Sequence, residues 1–411
     1  MFLSSAPTQA SKQPPGHPPS PASCPVPSRA PDVARHDATL PVTLIDTAKA
    51  VASQLIVAHH LVIYGPMSRQ VQPLAPDLWA WLADPARLAV QVFLVIAGFL
   101  AARSLMPTPG AAGRIGLAAW PGLLGARIVR LAPVYWLAVA LVLASAAVAR
   151  TWMDDPDTPA LPSLAQLAAN LLFLQDVTGH DALSAGLWYV AIDLQLYAAL
   201  ALFSVATGLL ARLPDATRSV LVVVSLASLV ALSLWLVNRW SGWDAWAPYF
   251  FGAYGLGVLA HWLRRMTQPA WRGLGLAALV LLVAVALAVE FRSRIALAGV
   301  VAVLLVVGQG WQARIGLERP PVRALTAWLA RLSYAVFLLH YPISLAVAAL
   351  VTALAPDSLE ANLLGLIGTW ALTLVCAHLV ERQFGVWQGR RQAARRTAAM
   401  AARPVPSMVA G

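Results

Sequence analysis

Ile45-Asp-Thr-Ala-Lys-Ala-Val-Ala-Ser-Gln-Leu-Ile-Val-Ala-His59-His60-Leu-Val-Ile-Tyr64 is a largely apolar stretch of twenty residues. That is the length at which an α-helix covers the ~30 Å of a bilayer's hydrocarbon. Yet it carries Asp46, Lys49, His59 and His60. Ionisable side chains inside a membrane are costly and mark substrate paths, proton relays or chemistry. Lys49 and His60 stand eleven positions apart. At ~100° and ~1.5 Å per residue they share one helix face and are separated by ~16 Å along the axis. This spacing suits an extended substrate held at one end and reactive at the other. His59 points ~100° away from His60 and cannot share its role directly.

The rest of the chain defines the setting. Hydrophobic residues make up 59% and charged residues 11%, with a mean hydropathy of +0.68; soluble domains carry ~25% charged residues. The composition excludes an ordinary soluble protein and points to an all-α, polytopic membrane protein. Apolar runs predict about ten transmembrane helices, near 42–64, 88–106, 131–149, 187–211, 219–238, 248–263, 273–290, 295–311, 327–353 and 361–380. Alternate connections then collect Arg114, Arg127 and Arg130; Arg212 and Arg218; Arg264, Arg265 and Arg272; Arg314, Arg319 and Arg323; and Arg390, Arg391, Arg395 and Arg396. The other connections hold fewer cations beside Asp77, Asp84, Asp154, Asp155, Asp157, Asp176, Asp181 and Asp244. The positive-inside rule places both termini in the cytosol. The net charge of +11 follows from that asymmetry and from attraction to anionic lipid, so nucleic acid is not implied as a partner.

Residues 1–40, rich in Pro, Ser and Ala, are expected to form a disordered cytosolic tail. Residues 41–385 form the transmembrane domain, and 386–411 a basic, alanine-rich cytosolic tail. Met1 to Ala10 lacks the basic and apolar regions of a signal peptide. Cys24 and Cys376 lie in the first tail and the last span, so neither a disulfide nor a metal site is expected. In the 150–186 connection, Leu164 to Phe173 is too short to span and reads as a re-entrant or interfacial helix.

Span four opens Trp188-Tyr-Val-Ala-Ile-Asp193-Leu-Gln195-Leu-Tyr197, with Tyr189, Asp193 and Tyr197 on one ridge. Counted from the outer helix ends, Asp193 lies ~9 Å and His60 ~6 Å deep on antiparallel helices, so a contact is expected. A carboxylate beside an imidazole fixes its tautomer and raises its basicity, as a general base requires. The alternative is a structural hydrogen bond between two buried polar groups. At the opposite end, Lys49 faces Arg127 and Arg130, which precede Pro133 in span three. Three cations at one mouth suit phosphates. The alternative is that the arginines snorkel as membrane anchors and that Asp46, at i−3, neutralises Lys49.

Five elements together resemble the acyltransferase-3 family of bacterial integral-membrane O-acyltransferases, over Thr43 to about Gly385. Asp46, Lys49 and His60 match its Asp-x-x-Arg pattern with a histidine eleven positions on, Lys replacing Arg. Phe93 to Leu100 matches an element in which Ala97 stands where Ser is usual. Arg127, Arg130 and Pro133 match Arg-x-x-Arg-x-x-Pro. Trp188 to Tyr197 matches an element with Asp193 replacing a glutamate, and Ser333-Tyr334 through His340-Tyr-Pro342 matches the last. The resemblance implies transfer of an acyl group, most simply acetyl, from cytosolic acetyl-CoA or another acyl-CoA to a hydroxyl of a surface or periplasmic glycan or lipid-linked sugar. It also implies a multi-pass protein of the bacterial inner membrane, in contact with membrane lipids. His60 and Asp193, with His59 beside them, are the expected catalytic residues, and Lys49, Arg127 and Arg130 hold the coenzyme A phosphates. Asp46, Trp188, Gln195, Tyr197, Ser333, Tyr334 and His340 complete the candidates, and no metal is expected. A proton-coupled exporter of a sugar or lipid is the alternative, against which stands the lack of inverted repeats.

Overall fold

A computed structural model describes the backbone of residues 42–111 and 115–401 and the side chains of most of 43–387. The expected tail at 1–40, Cys24, Arg114 and the arginines of the basic C-terminal stretch lie outside the described side chains. Every element described is a helix. In chain order they are α1 (Val42–Ile63), α2 (Pro66–Val71), α3 (Pro76–Ala83), α4 (Val90–Leu105), α5 (Trp120–Trp152), α6 (Leu164–Leu171) and α7 (Leu187–Ala206). There follow α8 (Asp215–Trp235), α9 (Ala247–Arg265), α10 (Pro269–Val289), α11 (Ser293–Val307), α12 (Gln309–Arg314), α13 (Pro320–Leu354) and α14 (Leu359–Ala401).

All ten apolar runs fall on helices, and among the described residues seven helical segments are long and apolar enough to cross a membrane. An eighth counts if Thr43–Ile63 and Pro66–Leu74, bent by 85°, form one span. The bend follows from Gly65, whose φ of +83° is left-handed, and from Pro66, which starts a new helix with its fixed φ. Two expected spans do not meet that measure. α11 has only 15 residues. α9 is diluted by glycines, tyrosines and His261, and is tolerated because Tyr249 to Leu263 lies almost wholly within the bundle. The third expected span, 131–149, is longer than hydropathy suggests. α5 begins at Trp120 and runs through Pro133, so Arg127 and Arg130 sit on the helix itself.

Two helices organise the bundle. α13 packs on α1, α5 and α14, while α9 packs on α4, α8, α11 and α7. α4 and α9 touch backbone to backbone. A Cβ on Gly98 would overlap the Tyr254 carbonyl, and one on Gly257 would overlap that of Val95. α6, the short helix expected over the 150–186 connection, is capped by Ser163, whose Oγ accepts from Gln166 N at 3.1 Å. It is tied to the bundle by Asn170, whose carbonyl accepts from the Tyr135 hydroxyl at 2.9 Å.

Candidate functional site

His60 lies near the end of α1 and its Nδ1 stands 2.7 Å from Nε2 of His340 on α13; the two rings are within 4° of parallel. The other nitrogen of His340 faces the Val336 carbonyl at 3.2 Å. A carbonyl only accepts, which assigns the protons: His340 Nδ1–H donates to Val336, its Nε2 carries a lone pair, and His60 Nδ1–H donates to it. With both rings neutral, Nε2 of His60 is left as a free base. His340 is fully buried, so its ring is held by packing as well as by hydrogen bonds.

Asp193 does not meet His60. Its carboxylate takes a 2.5 Å hydrogen bond from Arg127 Nη2, and the guanidinium also lies 5.0 Å over the Tyr197 ring. The expectation failed on axial offset, because it set the ends of α1 and α7 in one plane. Gly186, just before α7, instead abuts the Phe337 carbonyl, midway along α13. From that level His340 lies three residues, or ~4.5 Å, in one direction and Asp193 seven residues, or ~10.5 Å, in the other. About 15 Å along the axis therefore separates them. The interval is lined by Phe93, Tyr189 and Phe337, with Tyr189 5.4 Å from Phe337 and 6.1 Å from Phe93.

The ion pair also changes the reading of Arg127. Its charge is compensated within the bundle, with Asp193 only 6% exposed, so it does not stand free for phosphate. The cationic cluster at that end of α1 is instead formed by half-buried Lys49, within electrostatic reach of Asp46, Arg130 and Glu381, and by Arg331, within reach of Asp46. Three cations face two carboxylates there, leaving a net positive charge.

The other candidates divide clearly. His59 Nδ1 is 2.9 Å from the Leu82 carbonyl, which makes it a donor tying α1 to α3 and turns it away from the His60–His340 pair. Gln195 Oε1 accepts from Ala247 N, an unpaired donor of the first turn of α9, at 3.2 Å. Ser333 Oγ donates to the Ala330 carbonyl one turn back. The Tyr334 hydroxyl donates to the Leu131 carbonyl, joining α13 to α5. Trp188 packs on Phe250, ring centres 5.8 Å apart.

Beyond His60 the structure adds a recess that sequence reasoning missed, lined in part by Tyr64, Asp155, Asp157 and Tyr341. Tyr64 lies 5.6 Å from the His60 ring and 5.1 Å from that of Tyr341. Asp157 Oδ2 accepts from Gly65 N at 2.9 Å, and its backbone carbonyl accepts from the Tyr341 hydroxyl. Arg69 pairs with Asp155 and approaches Asp157 at 3.6 Å. The available signal was Asp155-Pro-Asp157 itself, a close acidic pair in a chain with few acids. Among the described residues no cluster of three His, Cys, Asp or Glu side chains is placed to hold a metal ion.

A family model for an acyltransferase domain matches residues 42–381. No curated protein and no solved structure matches the chain.

Proposed function

The chain belongs to the acyltransferase-3 family, and from that premise we propose that it moves an acyl group, most simply acetyl, from cytosolic acyl-CoA to a hydroxyl of a glycan or lipid-linked sugar presented at the outer face. Both termini are cytosolic in this reading, and the membrane is the bacterial inner membrane. Lys49 and Arg130 hold the coenzyme A phosphates at the inner mouth. The pantetheine arm runs toward His60, and the acceptor enters through the recess of Tyr64, Asp157 and Tyr341.

The observation that carries this reading is the His60–His340 pair, which leaves His60 Nε2 unprotonated, three helical turns along the face of α1 that carries Lys49. Nε2 takes the acceptor's hydroxyl proton as that oxygen attacks the thioester carbonyl. The new C–O bond forms, the C–S bond breaks, and the departing thiolate recovers the proton from Nε2. The transient imidazolium keeps its Nδ1–H on His340, so the second histidine fixes the tautomer and orientation of the base, as the carboxylate of a catalytic triad also does, without adding a charge.

Coenzyme A release from acetyl-CoA by the purified protein tests the proposal. His60→Ala should lower the rate ~10²–10⁴-fold, the usual cost of a lost general base, without weakening acetyl-CoA binding. An unchanged rate refutes the role of His60. Sugar or lipid flux driven by a proton gradient, with no coenzyme A released by the unmodified protein, would establish the exporter reading instead.

A further inference from the structure

Within the bundle, two polar groups beside the Arg127–Asp193 pair have no partner. One is Nε of Arg127 and the other is the hydroxyl of Tyr254, on α9. Tyr254 is completely buried, and it lies within electrostatic reach of Asp193, Arg127 and Tyr197. A buried hydroxyl without a partner loses its hydration for no return, and a phenylalanine would fill the same space. The tyrosine is nonetheless held firmly in place. Gly98 on α4 lies against its carbonyl, and Gly257, three residues on, lies against Val95, so α9 cannot draw the ring away without parting the two helices. The Arg127 side chain keeps 21% of its surface exposed, so the ion pair is reached from one edge, with Nε and the Tyr254 hydroxyl just beneath the surface.

We propose that the Tyr254 hydroxyl and Arg127 Nε form a binding site for a neutral carbonyl group, an amide or the thioester of the donor's acyl-pantetheine arm. The site rests on the acyl-CoA reading above and deepens it. Charge decides the kind of ligand. Asp193 already neutralises Arg127 at 2.5 Å, so a phosphate brought here would meet the carboxylate's repulsion in a medium of low dielectric. A carbonyl oxygen accepts two hydrogen bonds and adds no charge. The site also lies inward of His60–His340, on the side from which a cytosolic donor arrives.

The full-length protein in detergent, titrated with acetyl-CoA and separately with 3′-phosphoadenosine 5′-diphosphate, which lacks the arm, tests this. Tyr254→Phe should weaken acetyl-CoA binding about tenfold, roughly one hydrogen bond, leave the arm-less nucleotide's Kd unchanged, and hold or raise Tm. Equal acetyl-CoA affinity in the variant overturns the site, as does an equal loss for both ligands or a lowered Tm, which would mark a structural hydroxyl. If the unmodified protein binds the nucleotide but gains nothing from the arm, the carbonyl site fails while the donor reading stands. Binding of neither ligand would overturn both.

Discussion

Replacing His340 tests the mechanism most directly, because its ring never needs to touch either substrate. The side chain is fully buried and accepts from His60 at 2.7 Å. In His340→Ala the His60 Nδ1–H loses its acceptor inside a protein, a penalty of ~1–3 kcal/mol for an unpaired buried donor. The imidazole can escape it by moving its proton to Nε2 or by rotating, and either change removes the base from the acceptor. Converted to rate, that penalty is a fall of about 5- to 150-fold in kcat, with KM for acetyl-CoA little changed. His340→Gln separates geometry from bulk, since its Oε1 reaches the region of the lost Nε2 and offers an acceptor. It should recover part of the rate, whereas His340→Leu, similar in volume, should not. Coenzyme A release under saturating donor, with Tm measured on each variant, is the assay. If His340→Ala keeps kcat within twofold, or Leu and Gln behave alike at equal Tm, the reasoning is wrong and His340 only packs α13 against α1.

Lys49→Ala should raise KM for acetyl-CoA, because it removes a charge-assisted contact worth about 1.5–3 kcal/mol, while Lys49→Arg is tolerated; a change confined to kcat would remove Lys49 from the phosphate site. Asp193→Asn leaves Arg127 as an uncompensated buried charge, a loss of ~3–5 kcal/mol seen as a fall in Tm that Asp193→Asn combined with Arg127→Gln partly restores. A single variant with unchanged Tm would show that the ion pair is not needed for the fold. In the connection between α6 and α7, burial, reinforced by nearby Asp244, pushes the Asp176 carboxyl from 3.8 up to about 6. Because the folded-state value is raised, its contribution to stability is complete below pH ~3.8 and lost as the pH rises through ~6. Asp176→Asn should therefore raise Tm at pH 7.5 more than at pH 4, and an equal effect at both would contradict the assignment.

The error over Asp193 shows where sequence reasoning stops. Its spacing from Tyr189 and Tyr197 correctly put all three on one ridge, and the hydroxyl-rich surroundings of Arg127 are that ridge seen from α5. What was missing was the level of α7 relative to α1, and with it the identity of both partners. Hydropathy alone starts this span at 131 and so groups Arg127 with a cytosolic mouth, whereas the helix begins at Trp120. His340, one candidate among several in the sequence, becomes the direct partner of His60 across 280 positions of chain. Tyr254 carried no signal, since a tyrosine in an apolar span is unremarkable until Gly98 is found against its backbone.

By itself the sequence determined the properties that depend on one helix at a time. The apolar runs specified helices of membrane length, the period of 3.6 put Lys49 and His60 on one face, and the ordered motifs marked the family. These are local, because hydrogen bonding within a helix and its cost in hydrocarbon depend only on neighbouring residues. The tertiary structure decided the offset between helices and therefore every contact across the site: His60 to His340, Asp193 to Arg127, and Tyr64 to Tyr341 beside Asp157. That offset comes from packing, from glycines that let α4 and α9 meet at the backbone and from Gly186 against Phe337. Sliding one helix past another by a few ångströms keeps every local preference satisfied and exchanges all the partners.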